Sequence, residues 1–91
     1  MNFEWDAEKA QSNFDKHGVR FEIASGVFVD PNHITAVDDR FNYGEERLVT
    51  LARTSEGTLV VVTTQRDEGR TLRLISARKA NKRERSTYGD H

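Results

Sequence analysis

Arg66, Arg70, Arg73, Arg78, Lys79, Lys82, Arg83 and Arg85 place eight cations in the last third of a 91-residue chain, against four acids there. The first 65 residues carry 6 basic and 11 acidic side chains, so a net charge of −1 conceals a basic end. A guanidinium is a planar fork of donors that matches two phosphate oxygens, and its charge is permanent. Such a run suits a phosphodiester or an acidic partner; it also suits a plain solvated surface. RNA can be cut without a metal, because its 2′-hydroxyl attacks the neighbouring phosphorus in line. A protein then has to orient the backbone, stabilise charge on the phosphoryl oxygens and move protons.

Arg66 is the leading candidate for stabilising that charge, and Arg78 is a further catalytic candidate. His17, Glu84 and Tyr88 are candidates for proton transfer, histidine having the intrinsic pKa nearest neutrality. His17 also suits a simple role as a cation at a helix end. Lys16, Arg70, Arg73, Lys79, Lys82 and Arg85 would bind the RNA backbone, and Tyr88 and Trp5 are candidates for stacking on bases. His17, His33 and His91 are far apart in sequence and belong to no metal-ligand spacing, and no cysteine is present. No metal or other cofactor is expected.

These side chains need elements to hold them. Phe3–Trp5 reads as a short strand, and Asp6 can cap a helix that carries Ala7, Ala10 and Phe14 on one face to about Lys16. Gly18 is placed to end it in the left-handed conformation. Phe21, Ala24 and Phe28 repeat the helical spacing up to Asp30-Pro31, which predicts a second helix. His33–Val37 reads as a strand, and Asp38–Glu45, with Asn42 and Gly44, as a loop. Leu48–Ala52, Leu59–Thr64 and Thr71–Ala77 then form a three-stranded antiparallel meander, joined through Ser55-Glu56-Gly57 and Asp67-Glu68-Gly69. A last helix is predicted from about Arg78 to Tyr88, with Ser76 as its candidate cap.

This order predicts an α+β domain whose helices cover one face of a small antiparallel sheet. In a regular strand Arg70, Leu72, Leu74, Ser76 and Arg78 face one way and Thr71, Arg73, Ile75 and Ala77 the other, dividing the arginines. Arg66 and Arg70 should meet across their hairpin. On the last helix Arg78, Lys82 and Arg85 would form a stripe beside Tyr88, flanked by Lys79 and Arg83.

Leu, Ile, Val and Phe supply only 21 of the 91 residues, enough for one thin core and too few for two. The longest aliphatic run, Leu59–Val62, is far short of a bilayer span, and the acidic start is unlike a secretory signal. With no cysteine, a cytoplasmic protein is expected. A Ser/His/Asp hydrolase is unsupported, since no serine lies in a nucleophile-elbow sequence.

Phe3-Glu4-Trp5-Asp6, Lys9, Asn13, Lys16-His17-Gly18-Val19, Phe21, Ala24, Val27-Phe28 and Asp30-Pro31 resemble the opening of the BrnT toxins. Glu46-Arg47, Val61-Val62-Thr63, Arg66, Arg73, Ile75-Ser76-Ala77-Arg78, Ala80, Glu84-Arg85 and Tyr88 resemble the rest of that pattern, over nearly the whole chain. The resemblance implies a single domain, 1–91, with a fold similar to RelE-type toxins. It implies a ribonuclease of a type II toxin-antitoxin system that blocks translation by cleaving RNA and is neutralised by a BrnA-like antitoxin. Operator DNA would be bound only through the antitoxin complex. An amphipathic or acidic antitoxin segment over the basic face would block RNA by taking the same cations. The alternative reading is a binding module for an antitoxin or nucleic acid, without turnover.

Overall fold

A computed structural model describes residues 2–39 and 44–89. The predicted turn residue Asn42 and the C-terminal His91 lie outside the described residues. The chain begins with β1 (Asn2–Glu4) and turns at Asp6, whose carboxylate accepts the Glu8 and Lys9 backbone N–H groups and caps α1 (Ala7–His17). Those two bonds hold the Asp6 carboxyl below its ordinary pKa. Gly18, at φ 71°, ends α1 as predicted.

The second predicted helix is shorter and tighter than its periodicity suggests. It comprises one α-turn, α2 (Phe21–Ala24), followed by a 3-10 segment, Ser25–Val29. The Ser25 hydroxyl donates to the Glu22 carbonyl, Gly26 favours no helix, and Pro31 bars continuation.

Four strands follow: β2 (Ile34–Asp38), β3 (Arg47–Thr54), β4 (Gly57–Arg66) and β5 (Thr71–Lys79). The sheet order is β1-β5-β4-β3-β2. The meander therefore has four antiparallel strands rather than three, and β1 joins β5 in parallel, so the sheet is mixed rather than purely antiparallel. The parallel pair arises because the N-terminal segment starts at one edge and crosses a whole face as α1, α2 and the 3-10 turn. It re-enters as β2 at the opposite edge.

That crossing buries Val19, Phe21, Ala24 and Val27 against Ala52, Leu59, Val61, Leu74 and Ala77. Trp5 meets Phe21 edge to face at 6.0 Å, and Phe3 stacks on Phe28 at 5.8 Å, both on this helical side. Trp5 thus serves the packing between helix and sheet, and its sequence-based stacking role is not where the structure places it.

Regular alternation fails in β5. Val62 pairs with Ser76 but Thr63 pairs with Leu74, so Ile75 is an extra residue in a β-bulge. Leu72, Leu74 and Ala77 consequently all lie on the helical side, and Arg73 and Arg78 both lie on the opposite, open side. The sequence expectation that these arginines point to opposite faces is overturned by this single inserted residue.

The final helix is α3 (Lys82–Tyr88), beginning four residues later than predicted. Strand pairing wins over helix propensity as far as Lys79, which faces Leu59, and the Ala80 N–H still donates to the Thr58 carbonyl. Asn81, not Ser76, is the cap: its side chain accepts the Glu84 N–H while Glu84 accepts the Asn81 N–H. Arg78 therefore belongs to a strand, and the helical stripe through Arg78, Lys82 and Arg85 does not form. α3 rests on the open face, where Ala80 and Tyr88 pack with Val49, Leu51 and Val60.

Candidate nucleic-acid interface

Two arginine clusters share the open face. At one end Glu4 of β1 stands opposite Arg73 of β5, and Arg73 stands opposite Thr64 of β4. Glu4 Oε1 lies 3.5 Å from Arg73 Nη1 and 3.6 Å from Arg66 Nε. Arg73 is 28% exposed along its side chain and Arg66 is 53% exposed, so the first is held by its neighbours and the second reaches into solvent.

Farther along β5, roughly 15 Å away at ~3.3 Å per residue, Arg78 meets Glu84 of α3. The pair is bidentate, with Nη1–Oε1 at 2.8 Å and Nη2–Oε2 at 2.9 Å. Arg78 holds the Glu84 carboxyl below its ordinary pKa, and the Asn81 N–H adds to the effect. Glu84 is ionised at neutral pH and engaged through both oxygens. Val49, Val60, Val62, Ser76, Arg78 and Glu84 line a cavity of about 300 Å3 between the sheet and α3.

Ser76 also lines a second hollow, of about 230 Å3, with Lys9, Lys16, His17 and Ile75. β1 flanks β5 only to Arg73, so the edge beyond is open and α1 closes in on it. Asn13 fills the missing strand's place. Its amide donates to the Ala77 and Val19 carbonyls and accepts the Ala77 N–H, at 2.9 to 3.0 Å. His17 and Lys16 are thus brought to the flank of the arginine row, around the β5 edge rather than within the open face.

Tyr88 is tied elsewhere. Its hydroxyl donates to Asp30 Oδ2, which also accepts the Arg53 backbone N–H. The bond fastens the end of α3 to the turn before β2. It depresses the Asp30 carboxyl, with further help from the Arg53 and Asn32 N–H groups, and it raises the Tyr88 phenol. A phenol so raised is a weak general acid and, at neutral pH, no base.

The linkage has opposite signs at its two ends. The lowered Asp30 pKa contributes stability above the ordinary carboxylate range, lost as pH falls through the folded value. The raised Tyr88 pKa contributes stability below the ordinary phenol value of about 10, lost as pH climbs through the folded one. Ultraviolet difference absorbance should therefore show Tyr88 ionising above the ordinary range, and Asp30→Asn should bring it back down. An unchanged titration in that variant would remove Asp30 as the cause.

The remaining basic residues are dispersed. Arg70, at the β4–β5 turn, donates to the Asp67 carbonyl and faces the Asp67 and Glu68 carboxylates, while Arg66 turns to Glu4. Lys79 is exposed at the end of β5, on the parity of Ala77 and so on the helical side. Lys82 is exposed in the first turn of α3, and Arg85 donates to the Ala80 carbonyl. Among the described residues no three His, Asp or Glu gather as a metal site, and no helix is long and apolar enough to cross a membrane.

Residue chemistry alone does not single out Glu4 as a site residue. Its signal is faint: an acid between Phe3 and Trp5, in a strand too short to show which neighbour it would join.

No curated protein matches the chain. A family model does, over residues 5–84, with the description "Ribonuclease toxin, BrnT, of type II toxin-antitoxin system". The match takes in α1, all of β2 to β5 and the Arg78–Glu84 pair, so the chain belongs to the BrnT family of ribonuclease toxins of type II toxin-antitoxin systems.

Proposed function

We propose that this chain is a metal-independent endoribonuclease that cleaves single-stranded RNA by assisting attack of the 2′-hydroxyl on the adjacent phosphorus. The observation that carries the reading is the alignment of Arg66, Arg73 and Arg78 on the face of the sheet opposite α1 and α2, made possible by the bulge at Ile75. Arg66 and Arg73 hold the reacting phosphate, and Arg78 holds a phosphate a few nucleotides away. The charges of Arg66 and Arg73 oppose the extra negative charge of the five-coordinate phosphorus.

Glu84 and Tyr88 act by positioning. Glu84 fixes the plane of the Arg78 fork, and Tyr88 anchors α3 so that the cavity keeps its wall. Lys16 and His17 steer the strand as it leaves over the open β5 edge, and Lys79, Lys82, Arg70 and Arg85 supply a diffuse field around it. A BrnA-like antitoxin neutralises the protein by covering this same face, operator DNA is reached only through that complex, and the setting is cytoplasmic.

Purified protein should degrade single-stranded RNA at the same rate with and without EDTA. Arg66→Ala should lose about tenfold to a hundredfold in rate while keeping its circular dichroism, a loss of about 1.4–2.7 kcal/mol of transition-state stabilisation. RNA bound but never cleaved, with harmless expression in a bacterial host, would favour the non-catalytic binding module instead.

A further inference from the structure

The arginine row needs a proton acceptor, and most of the carboxylates near it are committed. Glu84 uses both oxygens on Arg78 and takes the Asn81 N–H as well. Asp30 accepts from Asn32, Arg53 and Tyr88. Asp67 and Glu68 face Arg70 at the hairpin, and Glu45 faces Arg47.

Glu4 differs in how it is held. Among the described residues the hydrogen bond it accepts, from Arg73 Nη1, ends on Oε1 and none ends on Oε2, which leaves Oε2 for a proton. Its contacts with Arg73 and Arg66, at 3.5 and 3.6 Å, are loose beside the 2.8 and 2.9 Å of the Arg78–Glu84 fork. Two guanidiniums at that distance can swing from the carboxylate to phosphoryl oxygens at little cost, because an exposed pair of this kind contributes about 0–1 kcal/mol. The carboxylate then stays beside the phosphate that its partners have captured. The side chain is 41% exposed, so a nucleotide can reach it.

Resting on the ribonuclease reading above, we propose that Glu4 is the general base of this site. Glu4 Oε2 takes the 2′-hydroxyl proton while the 2′-oxygen bonds to phosphorus. The bond from phosphorus to the 5′-oxygen breaks, and that oxygen takes a proton from water. The hydroxide left behind is neutralised by the proton on Glu4, which restores the carboxylate. One product ends in a 2′,3′-cyclic phosphate and the other in a 5′-hydroxyl. The two arginines act twice, holding Glu4 in place before RNA arrives and stabilising the phosphorane afterwards.

The test compares wild-type protein, Glu4→Gln and Glu4→Asp in single-turnover cleavage of RNA, and in binding of the same sequence as uncleavable 2′-O-methyl RNA. Glu4→Gln should cleave at least about 100-fold more slowly, the range expected for loss of a general base. It should bind the 2′-O-methyl strand as tightly as wild type or more tightly, since a competitor for the arginines has lost its charge. Glu4→Asp should recover part of the rate, and the wild-type products should carry cyclic phosphate ends.

A rate loss in Glu4→Gln below about tenfold, or one explained wholly by weaker binding, overturns the assignment while the ribonuclease reading stands. Wild-type protein that leaves RNA intact overturns both. Should Glu4→Gln fail to fold, Glu4→Ala decides alone: a folded variant that keeps the wild-type single-turnover rate is incompatible with Glu4 as base, and one at least about 100-fold slower that still binds the 2′-O-methyl strand supports it.

Discussion

Asn13→Leu should cost the domain about 3–5 kcal/mol and lower its melting temperature by roughly 15–25 °C. Asn13 is 7% exposed and makes three hydrogen bonds, two of them to the backbone of a single β5 residue, Ala77. Leucine matches it in size and offers no polar atom. The Ala77 N–H and C=O and the Val19 C=O would then be buried without partners, each at about 1–3 kcal/mol before relaxation. A 91-residue domain has roughly 5–14 kcal/mol in all, so the variant should be partly unfolded at growth temperature.

Asn13→Asp separates the contributions. It keeps an acceptor for the Ala77 N–H but turns a buried charge toward two carbonyls, and it should be no better than leucine at neutral pH. Thermal melts followed by circular dichroism check both variants. A shift under about 4 °C, or 1 kcal/mol, would mean that β5 beyond Arg73 needs no surrogate strand. The consequence reaches function, because Ala77 lies between Ser76 and Arg78, and loosening it loosens the cavity they line.

Signals in the sequence are legible where the physics is local. The Asp6 cap and the Gly18 stop depend on a few neighbouring residues and stand as expected. The β3–β4–β5 succession is readable because short polar turns join apolar runs. What escapes is non-local. The parallel partnership of β1 with β5 spans the whole chain, and three residues carry no periodicity with which to announce it.

The start of α3 is misplaced by sequence reasoning because Arg78 and Lys79 are good helix formers, yet pairing with Val60 and Leu59 outweighs a propensity of a few tenths of a kcal/mol. The bulge leaves a trace that strict alternation ignores. Leu72, Leu74 and Ala77 step by two and then by three, and that extra step is what brings Arg73 and Arg78 to one face. Tyr88 and Glu84 stand out by residue type, and it is their partners, Asp30 and Arg78, that the sequence does not supply.

Arg73→Ala should reduce RNA cleavage by about 100- to 1000-fold, the effect of removing one preorganised donor from a developing charge. Arg73 is the more restrained of the two arginines beside Glu4, with Thr64 2% exposed opposite it and β1 along its other side. Restraint matters because a group held close to its working position incurs less reorganisation when charge develops, whereas the freer Arg66 must be ordered first.

Stability should change by no more than about 1 kcal/mol, since the lost ion pair is partly exposed. Arg73→Lys keeps the charge and loses the planar fork, so it should fall between wild type and alanine. Lys82→Ala provides the contrast. Lys82 is exposed at the start of α3 and contributes only field, so the chemical step should be unchanged. RNA binding should weaken, with a salt dependence shallower by about 0.7 for each phosphate no longer neutralised. If Arg73→Ala and Lys82→Ala were to behave alike, both weakening binding and sparing the rate of the bound complex, the open face would be a place where RNA rests rather than one where it is cut.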